Sequence, residues 1–156
     1  MDSTEASSAR EPQLFFPALA GFYDRVRDLS WPIIRLTVGG VLLVHGVVKF
    51  MAPIDQFAAR LSRLMEPTLP AAYAVLFLET VGALCIMAGW LTRVFAAAIA
   101  VEMAVITFLV HFPRGFGWIA PGGGWEYPFL WGLIFVAIAL RGGGPYSLDR
   151  RIGKEI

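Results

Sequence analysis

Seven ionisable side chains lie within long apolar stretches of this chain. Such groups usually face a protein interior, pair with one another or serve a function, because an isolated charge in apolar surroundings is costly. A histidine and a carboxylate in an apolar cavity can exchange protons near neutral pH, so His45 with Glu79 or Glu102 is the predicted proton-exchange set. The seven are Arg35, His45, Lys49, Glu79, Glu102, His111 and Glu126.

Helical spacing indicates which of these side chains share a face. At about 100° per residue, Lys49 falls about 40° and His45 about 80° from Arg35, which predicts one polar stripe. Glu102 and His111 are nine residues apart and fall on opposite faces of their helix. His111 is therefore expected to lie outside the main site.

The composition explains why the apolar stretches are long. Hydrophobic residues make up 57% of the 156 residues and charged residues 16%, whereas soluble domains are about 45–50% apolar with glycine included and about 25% charged. These values fit poorly with a soluble enzyme, a disordered tail protein, a disulfide-stapled secreted domain or a nucleic-acid binder. Four runs suit bilayer crossing, which needs about 20 apolar residues: 31–50, 70–90, 93–112 and 127–140, the last of them short.

The predicted fold is therefore an all-α integral membrane four-helix bundle. We divide the chain into a polar tail with an amphipathic helix (1–30), a four-span membrane domain (31–149) and a basic tail (150–156). Residues 1–12 are expected to be disordered, and nothing in 1–11 is typical of a cleavable signal. Glu79 and Glu102, each nine residues into its run, are expected near mid-membrane.

Charged residues flank the spans unevenly and predict the orientation. Arginine and lysine are concentrated on the side that holds both termini and the loop between spans 2 and 3, with eight residues against three or four on the other side. Because basic loops stay inside, both termini are expected in the cytoplasm. The eight are Arg10, Arg25, Arg27, Arg93, Arg141, Arg150, Arg151 and Lys154.

Two amphipathic segments are expected to lie on the membrane surfaces as anchors. The first, on the cytoplasmic face, carries Phe15, Leu19, Phe22, Val26 and Leu29 at helical spacing. The second, a short helix on the outer face between spans 1 and 2, carries Phe57, Leu61, Leu64 and Met65, with Arg60 and Arg63 on its other side.

A ligand site is predicted toward the outer half of the bundle. The loop WIAPGGGWEY before span 4 brings aromatic rings and a carboxylate to the place where an amphipathic ring ligand would enter. An aromatic belt at the membrane interface explains Trp118 equally well. The predicted ligand contacts are His45, Lys49, Glu79, Trp125, Glu126 and Tyr127, while Arg35 and Glu102 are assigned to structural ion pairing.

Five short motifs in order resemble the DoxX family over about residues 31–149. The resemblance implies a four-helix bacterial inner-membrane protein, related to the membrane subunits of thiosulfate:quinone oxidoreductases and terminal quinol oxidases. The matching positions are Arg35, Gly39, Gly46, Lys49 and Phe50; Glu79 and Gly82; Gly89, Thr92 and Arg93; Gly124, Glu126 and Tyr127; and Gly142, Gly144, Ser147, Leu148 and Asp149.

Three functions remain open at this point. The first is a quinone-linked redox subunit, in which His45 and a carboxylate bind quinone and other membrane or peripheral redox subunits supply the electrons. The sequence has no haem, flavin or iron–sulfur motif, no metal site is predicted, and Cys85 has no second cysteine for a dithiol relay. The second is a non-catalytic subunit that organises a larger complex or a homo-oligomer, and the third is a pathway for protons or a small solute.

Overall fold

Helices make up all the regular secondary structure in the part of the chain that a computed structural model describes, which is residues 13–64, 66 and 68–156. The all-α prediction is confirmed for these residues. The disorder expected for residues 1–12 and the anchoring contact expected of Met65 lie outside them. The helices are α1 (Ala20–Val26), α2 (Ser30–Phe50), α3 (Ile54–Leu61), α4 (Thr68–Phe77), α5 (Ala83–Ala88), α6 (Thr92–Val105), α7 (Glu126–Arg141) and α8 (Leu148–Ile152).

Three helical stretches are long and apolar enough to cross a membrane: Pro17–Phe50, Thr68–Ala88 and Thr92–Arg114. The first joins α1 to α2 through a 3₁₀ turn at Arg27–Leu29, so the predicted amphipathic segment continues directly into span 1. Helix α7 occupies the fourth predicted run, but its 16 residues reach only about 24 Å, less than the roughly 30 Å of a bilayer core. Its crossing of the bilayer stays a prediction.

The long helices pack in antiparallel order around an apolar core. Helix α2 packs on α5, and α6 packs on α7. The core residues include Leu42 from α2, Ile86 from α5, Ile99 from α6 and Phe135 from α7, each at most 2% exposed. Many large apolar side chains lie on the outside instead, Val101 being 66% and Leu140 75% exposed. Lipid is the medium that solvates such a surface.

Two of the long helices contain π-helical turns, at Leu78–Gly82 between α4 and α5 and at Ile106–His111 after α6. Each turn contains a threonine whose hydroxyl donates to the carbonyl four residues earlier: Thr80 to Leu76 at 2.6 Å and Thr107 to Met103 at 2.7 Å. In a π-turn the backbone N–H bonds to the fifth preceding residue rather than the fourth. Each hydroxyl thus adds a side-chain bond to the backbone bonds of its turn.

One end of the bundle, here called the closed end, is built around a buried arginine. Arg35 is 1% exposed, and its guanidinium donates to four backbone carbonyls at 3.2–3.4 Å. Two of these carbonyls belong to the last residues of α5 and two to the turn before α8, namely Ile86, Met87, Pro145 and Tyr146. Arg35 thus caps one helix and holds the C-terminal turn against it, and no ion pair among the described residues involves it.

A buried carboxylate completes the closed end. Asp149 accepts hydrogen bonds from the Leu91 N–H at 2.8 Å, the Thr92 N–H at 2.9 Å and the Thr92 hydroxyl at 2.6 Å. These donors lie at the first turn of α6, where backbone N–H groups have no partner within the helix and a negative charge is favourable. Leu91 has φ +47°, a strained conformation that these contacts stabilise.

We expect Asp149→Asn to lower the free energy of unfolding by about 2–4 kcal/mol, because an amide NH₂ group would face donors and the buried charge-assisted bonds would be lost. Thermal unfolding of the purified protein in detergent measures the change. The matched control is Asp28→Asn, at an exposed position, which should leave the unfolding midpoint unchanged. Equal midpoints for the two variants would contradict the role given to Asp149.

Candidate functional site

The centre of the site is an ion pair between α2 and the first π-turn. The Lys49 ammonium donates to both oxygens of Glu79, at 2.8 Å and 2.5 Å. The Glu79 side chain is 3% exposed and that of Lys49 25%. The ammonium also lies 5.6 Å from the ring centroid of Phe57, within the range of a cation–π contact. The two charges thus stabilise each other in surroundings that would destabilise either alone.

Gly46 explains how the lysine reaches the glutamate. A Cβ atom at this position would lie 2.5 Å from the Glu79 carbonyl oxygen and 2.8 Å from the Thr80 methyl carbon. Only glycine therefore allows α2 to approach the π-turn so closely. Lys49 follows Gly46 by three residues, which is nearly one helical turn and places it on the same face. The glycine and lysine of the G-x2-K motif thus form one interaction with the glutamate of the E-x2-G motif.

One side of the ion pair borders a cavity of about 540 Å³, here called the His45 cavity. Its polar groups come from α2, from both π-turns and from α7, and aromatic rings form much of the rest. The lining includes Leu42, His45, Lys49, Glu79, Met103, Ile106, His111, Trp118, Tyr127 and Trp131. Four predicted ligand contacts are therefore together: His45, Lys49, Glu79 and Tyr127.

His111 lies in this cavity, which differs from the expectation that it would be outside the main site. Its Nδ1 lies 2.8 Å from the Gly123 carbonyl oxygen, and the second π-turn ends at this residue. A π-turn holds more residues than an α-helical turn, so the wheel used for Glu102 and His111 does not apply between them. A threonine in the middle of an apolar run, here Thr107, is the sequence signal that could have indicated the turn.

Two predicted ligand contacts, Trp125 and Glu126, are not among the residues that line the His45 cavity. Trp125 instead packs on Phe116 and Phe129, with ring centroids 4.8 Å and 5.6 Å away. The Glu126 carboxylate accepts a hydrogen bond from the Trp118 N–H at 3.3 Å. Both therefore fix the loop before α7, and that loop brings Trp118, 69% exposed, into the lining.

On the other side of the ion pair lies a larger cavity of about 1000 Å³, here called the Glu102 groove. Lys49 and Glu79 line both cavities. Glu102 is 7% exposed, and neither of its side-chain oxygens has a hydrogen-bond partner within the described residues. The structural ion pair expected of Glu102 is not among the contacts described, and the carboxyl lines the groove instead.

His45 and Glu79 lie at one level of the bundle. Gly89 lies at the closed end, where its carbonyl accepts a hydrogen bond from the Asp149 N–H at 2.9 Å. His45 is ten residues from Arg35 and Glu79 is ten from Gly89, so both stand about 15 Å from the closed end. Arg35 is therefore far from the ion pair, although it shares a helix with Lys49. Cys85 is buried in the core, and the described residues contain no cluster of ligating side chains that could hold a metal ion.

Comparison with known proteins finds one matching family model and two similar proteins. The family model DoxX matches residues 30–112. An uncharacterized membrane protein of Mycobacterium tuberculosis is 35% identical over 137 residues, which cover 78% of this chain and 80% of that protein. An uncharacterized protein of Haemophilus influenzae is 27% identical over 134 residues, which cover 85% of this chain and 97% of that protein. No solved structure matches.

We expect Gly46→Ala to separate α2 from the π-turn and to lower the free energy of unfolding by about 1–3 kcal/mol through overpacking. The matched control is Gly40→Ala on the same helix, where an added Cβ meets nothing within 4 Å. That change should be neutral or stabilising by up to about 1 kcal/mol. Thermal unfolding in detergent compares the two, and a Gly46→Ala protein as stable as Gly40→Ala would show that the close approach is dispensable.

Proposed function

Because this chain belongs to the DoxX family of membrane proteins, we propose that it is the membrane subunit of a quinone-linked oxidoreductase system and that the His45 cavity binds the quinone ring. The observation that carries the proposal is the cavity's lining. An imidazole and a lysine–glutamate ion pair stand there among the aromatic rings of Trp118, Tyr127 and Trp131.

The residues present fit a quinone ring. Small-molecule pockets are concave, mostly apolar and about 300–1,000 Å³ in volume, with a few polar groups that fix orientation. The His45 cavity has about 540 Å³ and this type of lining. A quinone has a flat ring and two carbonyl oxygens, so it needs aromatic neighbours and hydrogen-bond donors. Tyr127 and Trp131, whose ring centroids are 5.6 Å apart, supply the first, and His45 and Lys49 supply the second.

Lys49 has donor capacity beyond its ion pair. An ammonium group carries three N–H donors, and the described contacts direct two of them to Glu79. The third is available to a ligand oxygen. Glu79 holds the ammonium in position for that bond and compensates its charge. A neutral ring oxygen can thus be bound without breaking the pair.

Quinone supplies the redox chemistry, since it takes up two electrons with two protons. The role of this chain is to hold the ring and to move protons at its oxygens. His45 is suited to this because an imidazole both donates and accepts protons. The sequence has no haem, flavin or iron–sulfur motif, so a redox partner chain supplies the electrons. We place the protein in the bacterial inner membrane with cytoplasmic termini, so that the cavity lies toward the outer leaflet.

A second candidate function, a non-catalytic subunit of a larger membrane complex, is favoured by the segment before α2. Phe15 is 99% exposed, Phe16 72% and Phe22 58%. These rings pack little on the rest of the chain and suit contact with lipid or with a neighbouring subunit. Under this alternative, substitutions in the His45 cavity leave assembly of the complex intact and no quinone is bound.

We expect His45→Leu to weaken quinone binding about tenfold, the loss that corresponds to about 1.4 kcal/mol for one hydrogen bond to the ring. Extraction of quinone from the purified protein and titration with a short-chain quinone measure it. Glu102→Gln in the neighbouring groove is the control and should bind as the wild type does. A wild-type protein that binds no quinone would refute the proposal.

We expect the double variant Lys49→Met/Glu79→Leu to fold but to bind quinone at least tenfold more weakly, because the donor is lost together with the pair. Replacement of a buried ion pair by apolar residues is often neutral or stabilising, whereas removal of one partner costs about 3–5 kcal/mol. Each single variant should therefore be less stable than the double. Wild-type affinity in a folded double variant would exclude Lys49 as a ligand contact.

A further inference from the structure

The Glu102 groove has a basic mouth. Arg60 lies in the last turn of α3, Arg63 lies in the turn after that helix, and Arg114 ends the third long helical stretch. All three line the groove and are exposed. None takes part in an ion pair within the described parts of the chain. Arg114 donates to the Gly122 carbonyl and retains further N–H donors. Three exposed arginines thus line one groove.

The groove's walls are apolar and its inner end is acidic. The walls come from α4, from α6 and from both π-turns. Val101 and Leu109, 66% and 47% exposed, continue into the outer surface of the bundle. Glu102 lies twelve residues before Arg114, about 18 Å along the helix. The wall residues include Ala71, Ala74, Val75, Leu78, Ala98, Val101, Val105 and Leu109.

We propose that this groove binds an anionic phospholipid of the surrounding bilayer, with the phosphate head at Arg60, Arg63 and Arg114 and an acyl chain along the walls. Guanidinium groups form paired, charge-assisted hydrogen bonds with phosphate oxygens. The groove's lining continues into the surface that faces lipid in a membrane protein, so a chain can enter sideways. The lipid proposal does not rest on the quinone proposal, since none of the three arginines lines the His45 cavity.

The charged residues along the groove determine which end the phosphate head occupies. At the inner end, Glu79 is already compensated by Lys49, and Glu102 presents carboxyl oxygens without partners among the described residues. An anionic head is therefore favoured only at the arginine mouth. Glu102 lies about 18 Å from Arg114 along the helix and makes no contact with the phosphate.

The test uses the purified full-length protein, delipidated in a neutral detergent. Native mass spectrometry and thermal unfolding then follow the addition of phosphatidylglycerol, phosphatidylcholine, oleate or glycerol 3-phosphate. We expect phosphatidylglycerol to bind about tenfold more tightly than phosphatidylcholine and glycerol 3-phosphate not to bind measurably. The preference for phosphatidylglycerol should weaken as salt is raised, because the arginines are exposed.

The triple variant Arg60→Gln/Arg63→Gln/Arg114→Gln should lose the preference for phosphatidylglycerol. The matched control, Arg25→Gln/Arg27→Gln/Arg150→Gln, changes exposed arginines outside the groove and should retain it. If the triple variant does not fold, Arg63→Gln alone, in an exposed turn, should reduce the preference. Glu102→Gln should leave it unchanged or increase it.

Four results would overturn the proposal. Equal binding of phosphatidylglycerol and phosphatidylcholine would exclude recognition of the charged head. Tight binding of glycerol 3-phosphate would indicate a site for a soluble phosphate, and a preference for oleate over phosphatidylglycerol would exclude the phosphate as the recognised group. Loss of phosphatidylglycerol binding in Glu102→Gln would place the carboxyl in contact with the ligand.

Discussion

The ion pair between Lys49 and Glu79 determines how the middle of the bundle is built. An uncompensated charge at the level of Glu79, 3% exposed, would cost several kcal/mol in apolar surroundings. The pair requires α2 to lie against the first π-turn, and Gly46 is the residue that permits this approach. The ion pair also lines both cavities. The same two side chains therefore hold the helices together and supply the polar groups of the sites.

Buried charged groups at the closed end are also compensated, but by different partners. Arg35 pairs with backbone carbonyls instead of a carboxylate. Arg93 donates to the Leu140 carbonyl at the end of α7, at 2.6 Å, and also pairs with the Glu155 carboxylate at 3.4 Å. Asp149 satisfies the complementary N–H groups at the start of α6. Because helix ends carry unsatisfied backbone groups and partial charges, charged side chains are effective there as caps. The charges of this end are thus used for structure, while those of the middle remain open to a ligand.

The long helices could be located from the sequence because a long apolar run has few structural alternatives to a helix. The first predicted run, 31–50, differs from α2, Ser30–Phe50, by one residue. Structural ion pairing was expected of Arg35 and Glu102, but the sequence did not indicate their partners. Arg35 contacts carbonyls 51 to 111 residues away in the chain. The residue pattern does not indicate which backbone carbonyls of distant turns lie near a given side chain. The cap formed by Asp149 depends likewise on the left-handed conformation of Leu91.

The position of a side chain on a helix was predictable only where the helix was regular. His45 and Lys49, on the uninterrupted α2, do line one cavity. His111 was misplaced because a π-turn separates it from Glu102, and Trp125 because the loop before α7 contains glycines with positive φ, including Gly122 and Gly123. Both irregularities border the His45 cavity, as expected if local departures from regular structure are kept where a site needs them.

Since Lys49 and Glu79 border both cavities, the two proposed ligands cannot be energetically independent. A quinone oxygen that accepts the third N–H bond of Lys49 adds to the two bonds that Glu79 accepts, and a phosphate at the groove mouth changes the field acting on the same ammonium. Any effect of one ligand on the affinity for the other must be reciprocal. The shared charged groups are this one ion pair, so the coupling needs no path across the fold.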